Sequence, residues 1–250
     1  VDDAVTHLRI ASGDLIVIGT HTTDLQGHER LGGHRWTHAI GGGCDHLSLS
    51  DDGTIIGLID GGRHLHLVNE NGVKLGRFSA GELVGISVAQ DGTGVAVTDD
   101  EGRIHVLDSN GKKRWIREPG AELGETVSAM CFLHDGSLLL CREVLGITHS
   151  DVAQIALERW SSTGERMFSE EINSRSVCLI PDGMGALSGQ FDGTVQKIND
   201  DLTSTQIWKS AYTINDIRRF GDDLLIASWF YLHRIDVEGE EVWRCEHTGL

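Results

Sequence analysis

GRIHVLDSNGKKRW, residues 102–115, is the stretch whose reading decides the fold. Ile104, Val106 and Leu107 make a short apolar run of strand-forming residues. Asp108-Ser109-Asn110-Gly111 is turn chemistry, in which Asn-Gly supplies the positive φ angles of a tight hairpin. The chain then returns and reaches Trp115 four residues after the glycine. The pattern predicts a β-hairpin. It recurs as LHRIDVEGEEVW, residues 232–243, with Gly239 again four residues before a tryptophan. Two clear copies, with weaker ones elsewhere, predict a repeat protein, and the repeat then sets the architecture.

Outward from these hairpins, the unit reads as four short strands, A to D. Strand A ends in a turn marked by Asp-Gly or Gly-Asp. The A–B turn glycines are Gly13, Gly53, Gly92, Gly136, Gly183 and Gly221, spaced 40, 39, 44, 47 and 38 residues apart. A period near forty with four strands per unit predicts an all-β fold, a single β-propeller of six four-stranded blades. The expected blades are 5–42, 43–83, 84–125, 126–173, 174–213 and 214–250. Alternation supports strands over helices: in HLHLV, Leu65 and Leu67 fall on one face and His64 and His66 on the other. The first unit resists division, because HTTDLQGHERLGGHRW shows no obvious strand C.

The chain has 250 residues, with 32 glycines and 2 prolines, so it is rich in turns. Its net charge of −17 argues against a nucleic-acid partner, since phosphate binding needs a basic surface. Cys44, Cys131, Cys141, Cys178 and Cys245 form no CxxC pair and no regular framework, which suits free thiols in a reducing compartment. No signal peptide is visible and no apolar run approaches 18 residues. The expectation is a cytoplasmic chain without membrane partners. It begins at Val1 rather than Met, which suggests that an N-terminal segment has been removed.

HVLDSNGKKRW and HRIDVEGEEVW resemble the repeat of the quinoprotein-like (PQQ-like) β-propellers, whose consensus ends in an Asp, a Gly-Lys or Gly-Glu pair and a Trp. WD-repeat propellers are similar in repeat length and in the Asp-Gly A–B turn. No Trp-Asp dipeptide and no Gly-His opening stands in the WD-repeat register here. The quinone-dependent dehydrogenases of the first superfamily use eight blades, a calcium ion and a vicinal disulfide. This chain has room for six units and no adjacent cysteines, so none of those site residues carries over. The resemblance therefore implies the non-enzymatic branch, without a cofactor, whose propellers serve as binding platforms.

Trp36, Trp115, Trp208 and Trp243 read as one slot on strand D, where a large ring packs between neighbouring blades. Trp160 and Trp229 are out of that register and are better candidates for contact sites. Eight of the thirteen histidines lie in the first 66 residues, and His64-x-His66 places two rings on one strand face, a candidate metal pair. No HExxH and no GxSxG motif is present. Thr148, His149, Ser150 and Asp151 read as a solvated loop. Asp99-Asp100-Glu101 lacks the alternating oxygen ligands of a calcium loop, and Gly41-Gly42-Gly43 lacks the Lys-Ser/Thr of a phosphate loop.

The B–C and D–A connections of a blade lie on one rim. The long segments, residues 20–30 and 144–154 between strands B and C and residues 117–126 between D and A, all fall there, and the first and fourth blades that carry the two B–C segments are expected to face each other across the channel. Length that departs from the repeat on one rim points to binding. The candidate partner-binding residues are Arg117, Arg142, His149, Asp151, His21 and Asp24. The expected function is a non-catalytic scaffold that holds a protein partner on this rim. The alternative is a metal- or small-ligand-binding propeller, with or without catalysis, that uses the central channel and the His-rich first two blades. A sensor domain of a longer chain is a third reading.

Overall fold

The structure, a computed structural model, describes residues 3–22, 24–121, 124–145 and 154–246. Among these residues there are strands and turns and no α-helix. The fold is an all-β propeller of six four-stranded antiparallel blades, each connected in simple A-B-C-D order. The chain divides into two compact units, one ending at Gly120 and one starting at Ala121.

The first unit holds three blades. They are β1 (Val5–Ile10), β2 (Leu15–Thr20), β3 (Asp24–Glu29) and β4 (His34–Ala39), then β5 (Cys44–Leu49), β6 (Ile56–Asp60), β7 (Leu65–Val68) and β8 (Lys74–Phe78), then β9 (Leu83–Val88), β10 (Gly94–Asp99), β11 (Ile104–Asp108) and β12 (Lys113–Arg117). Strands β6 and β10 are buried along their whole length, as the apolar B strands of the repeat require. Two apolar clusters hold the sheets together. One joins Leu15, Val17 and Leu25 to Leu47, Ile56 and Leu58, and the other joins Ile59 and Leu65 to Val95, Val97 and Leu107.

The second unit repeats the plan. Its blades are β13 (Glu125–Phe132), β14 (Leu138–Val144), β15 (Ile155–Trp160) and β16 (Arg166–Glu171), then β17 (Ser176–Asp182), β18 (Gly185–Gln190), β19 (Thr194–Ile198) and β20 (Ser204–Lys209), then β21 (Ile214–Phe220), β22 (Asp223–Ser228), β23 (Tyr231–Ile235) and β24 (Glu241–Glu246). One cluster joins Cys131, Leu139 and Leu157 to Leu179, Ala186 and Leu202, and another joins Leu187 and Val195 to Ile214, Ile217 and Ile226.

The turns explain the glycine period. All six A–B glycines have positive φ, between 58° and 81°. The C–D turns use a second device, seen best in the 102–115 hairpin. The Asp108 carboxylate accepts the N–H groups of Asn110 and Lys112 at 2.9 Å each, and Gly111 N–H donates to the Asp108 carbonyl. Only Gly111 takes the left-handed conformation, at φ 80°. The expected two-residue Asn-Gly turn is thus a longer loop, capped by an aspartate and closed by one glycine, with a bulge before Leu107. Asn69 and Asp236 cap their own C–D turns in the same way.

Two expectations need correction. Residues 20–30 are not a long B–C connection, because residues 24–29 are strand C of the first blade. Leu25 is its one large apolar residue, and Gly27 fills the other buried position. A side chain at Gly27 would strike the Trp36 ring, so the slot stays empty and the strand reads as polar. The four tryptophans also do not share one slot. Trp36, Trp115 and Trp243 pair with Gly27, Val106 and Arg234, each of which lies opposite the fourth-last residue of its strand B. Trp208 pairs with Val195, the second residue of β19, which aligns with the first residues Leu65 and Ile104 of other C strands, so it sits two positions further along.

Candidate interaction surface

At the B–C end of the blades one polar pair recurs in register. It joins the last residue of strand B to the residue opposite the third-last of that strand. In the second blade Asp60 accepts from Gly62 N–H at 3.0 Å, His64 N–H at 2.9 Å and His66 Nε2 at 2.8 Å. In the third, Asp99 accepts from Arg103 N–H at 2.9 Å and His105 Nε2 at 3.3 Å. In the fifth, Gln190 Nε2 donates to Gln196 Oε1 at 3.0 Å, and in the sixth Ser228 Oγ and His233 Nε2 are 3.0 Å apart. Burial alone would raise the Asp60 pKa, but the hydrogen bonds from His64 N–H and His66 outweigh it, and the carboxyl lies below its ordinary value. These pairs staple strand B to strand C where the sheet opens into its turn.

The staple accounts for several sequence candidates. His64 and His66 both donate to the Asp60 carboxylate, and among the described residues no three His, Cys, Asp or Glu side chains are grouped as a metal ion requires. Asp99 caps its turn through Glu101 and Arg103 N–H, while Arg103 pairs with Glu101 and Glu118. In the sixth blade Glu241 Oε2 lies 2.7 Å from His233 Nδ1, so Ser228, His233 and Glu241 form a line like a catalytic triad. Ser228 is fully buried, and the matching position in other blades holds Asp60 and Asp99, which marks the line as structural.

Arg117 and Arg142 are buried and so offer nothing to a partner. Arg142 Nε lies 2.7 Å from Glu158 in an ion pair within the fourth sheet. A charged residue at a strand end reads as solvent-facing, and only the opposing carboxylate on β15 reveals otherwise. His21 is exposed in the short turn after β2, and Asp24 opens β3, where its carbonyl accepts from the Thr20 hydroxyl. His149 and Asp151, with Thr148 and Ser150, lie outside the described residues.

The same end of the fifth and sixth blades carries a feature that the sequence reading reached only in part. Phe191 follows β18 in a B–C turn, Tyr212 lies between β20 and β21, and Trp229 and Phe230 form the turn between β22 and β23. Their exposures are 52%, 38%, 61% and 44%. Tyr212 meets Phe230 edge-on with centroids 5.2 Å apart, Trp229 and Phe230 stack at 6.1 Å, and Tyr212 lies 5.8 Å from Tyr231. Tyr231 leads inward to His233 at 5.8 Å, and His233 to Trp208 at 4.7 Å. A ladder of rings thus runs from the apolar interior of the unit to its surface. Rings of ~150–250 Å² each, about half exposed, leave on the order of 300–500 Å² of aromatic surface in solvent, the size of the largest apolar patch on a typical monomer, which is often functional.

The surrounding charges are paired. Lys209 lies 3.3 Å from Asp192, Arg175 3.5 Å from Glu143 and Arg244 3.9 Å from Glu241. Burial pushes the Asp192 pKa up, but hydrogen bonds from Thr194 and Lys209 outweigh it and hold the carboxyl below its ordinary value. Arg175 also covers Phe191 at 4.6 Å, and Arg244 covers Tyr231 at 5.4 Å. Of the four exposed rings the sequence points only to Trp229, as a tryptophan outside the strand-D register. The run Trp229-Phe230-Tyr231 between two apolar strands was the available signal. Trp160, the other out-of-register ring, is half-buried and donates to Glu158 at 2.9 Å.

No protein-family model matches the sequence, and no match was found among curated proteins. Solved structures do match in fold. The chain is similar to BamB from Moraxella catarrhalis at 19% identity and a TM-score of 0.66, over 99% of this chain and 76% of that one. It is also similar to the Cps50 (Swd1) β-propeller domain from Myceliophteria thermophila at 14% identity and a TM-score of 0.78, over 100% of this chain and 88% of that one. The resemblance carried by the two hairpins is therefore borne out at the level of fold.

Proposed function

We propose that this chain is a non-catalytic propeller that holds a protein partner on the B–C and D–A end of its blades, with Phe191, Tyr212, Trp229 and Phe230 as the anchor. The single observation that carries the reading is that three exposed rings, Tyr212, Phe230 and Trp229, touch in turn, with exposed Phe191 in the adjoining turn, where its carbonyl accepts from the Thr213 hydroxyl. Exposed aromatic side chains ringed by polar groups supply most of the energy of protein interfaces. The five cysteines, all unpaired, support the cytoplasm as its compartment.

The test is quantitative capture from an extract of the source cells with the wild-type chain, with Trp229→Ala/Phe230→Ala, and with Met184→Ala/Phe220→Ala as a control at the opposite end of the blades. Met184 and Phe220 are comparably exposed. A partner retained by wild type and control but lost from the first variant supports the reading. A partner retained equally by all three places its site elsewhere.

A further inference from the structure

We infer that the segment docking on this surface is basic, with an arginine or lysine side chain lying over Trp229 and Phe230. The inference rests on the reading just given and adds the chemistry of the partner. From Ala121 onward the sequence holds 21 acidic against 10 basic residues, so this unit attracts cations at long range. At the aromatic end Lys209, Arg175 and Arg244 are each engaged by a carboxylate, which leaves the rings in a neutral to acidic setting.

The rings themselves give the second argument. Two neighbouring rings already carry guanidinium groups from this chain, Arg175 over Phe191 and Arg244 over Tyr231. Among the described residues no cation covers Trp229 or Phe230. Indole is the best cation acceptor of the three aromatic side chains, and Trp229 is the most exposed ring of the set. An incoming arginine would repeat on Trp229 the stacking that the chain itself makes on Phe191 and Tyr231. Glutamates and aspartates nearby would select against an acidic partner, because like charges across an interface are costly.

The experiment is fluorescence anisotropy with three labelled peptides in a Gly-Ser background, each with a central tyrosine flanked by two arginines, two citrullines or two glutamates, and with a neutral labelled oligosaccharide. The wild-type chain is expected to bind the arginine peptide. Affinity should fall about threefold to thirtyfold on exchange to citrulline or on Trp229→Ala, and less on Trp229→Phe. Binding should also weaken as salt rises from about 0.05 to 0.3 M. Equal binding of the arginine and citrulline peptides overturns the basic preference. So does failure of the arginine peptide to bind while the captured partner still requires Trp229 and Phe230, and that result leaves the docking surface in place. Binding of the oligosaccharide alone overturns the peptide assignment. A captured partner indifferent to both rings overturns the surface itself. Trp229 is exposed, so its variants should melt like wild type, and the melt is the control for folding.

Discussion

Leu202 occupies a position that belongs to glycine. Its N–H donates to the Asn199 carbonyl, just as Gly72, Gly111 and Gly239 donate to Asn69, Asp108 and Asp236 in their own C–D turns, and its φ is 69°. The left-handed conformation costs a residue with a side chain roughly 1–2 kcal/mol. The leucine side chain repays it by packing, buried, against the Cys131, Leu139 and Ala186 cluster. Leu202→Gly should therefore destabilise the second unit by about 1–3 kcal/mol despite the relieved backbone, since emptying a buried leucine site costs ~2–5 kcal/mol. The midpoint of urea unfolding reads this, and a rise in stability would show that the side chain contributes little. The thiols make a second residue-scale case. Burial pushes the Cys44, Cys131 and Cys178 pKa up to about 12, and Cys141 is fully buried, whereas Cys245 is exposed. An aromatic disulfide reagent at pH 8 should titrate Cys245 at once and the other four only after unfolding.

At the scale of elements, the staple at the end of strand B recurs in the second, third, fifth and sixth blades. Asp60→Ala strands Gly62 and His64 N–H and the His66 ring together, and should cost about 2–4 kcal/mol in chemical unfolding. Ser228→Ala removes one hydroxyl from His233 and should cost about 1 kcal/mol. The tryptophan slot is not filled uniformly. Trp36 packs on the next blade's C–D turn, where its Nε1 donates to the Glu70 carbonyl at 2.7 Å and its ring covers Gly72. At Gly76 the same slot is closed by the Asn110 backbone of the following turn. The blade period was legible because each turn needs a left-handed residue, and glycine supplies it at all six A–B turns. The staple is written as Asp60-x5-His66 and Asp99-x5-His105, but of its other members, Gln190 with Gln196 and Ser228 with His233, only His233 repeats a residue type. The interaction surface was less legible still. Phe191, Tyr212 and Trp229 stand 21 and 17 residues apart, and only the packing of adjacent blades brings them together.

Across the whole molecule the histidines set an acid limit on stability. Burial depresses the His7, His38 and His46 pKa below the ordinary 6.5, and in His46 the neighbouring His7 ring adds to it. The unfolded chain therefore binds more protons than the folded one as the pH falls below about 6.5. The stability these groups contribute is full above that value and is lost as the pH falls toward their depressed folded values. The melting temperature should decline from pH 7 to pH 5, and His7→Asn/His46→Asn should flatten the decline. An unchanged slope in the double variant would assign the acid sensitivity to other groups. The C–D turns act at the same scale through time rather than pH. The Asn69, Asp108 and Asp236 side chains are satisfied by amides two and four residues downstream, so these hairpins need no distant part of the chain to close. During synthesis each such hairpin can form as soon as it leaves the ribosome, and the slow step is left to the docking of finished sheets.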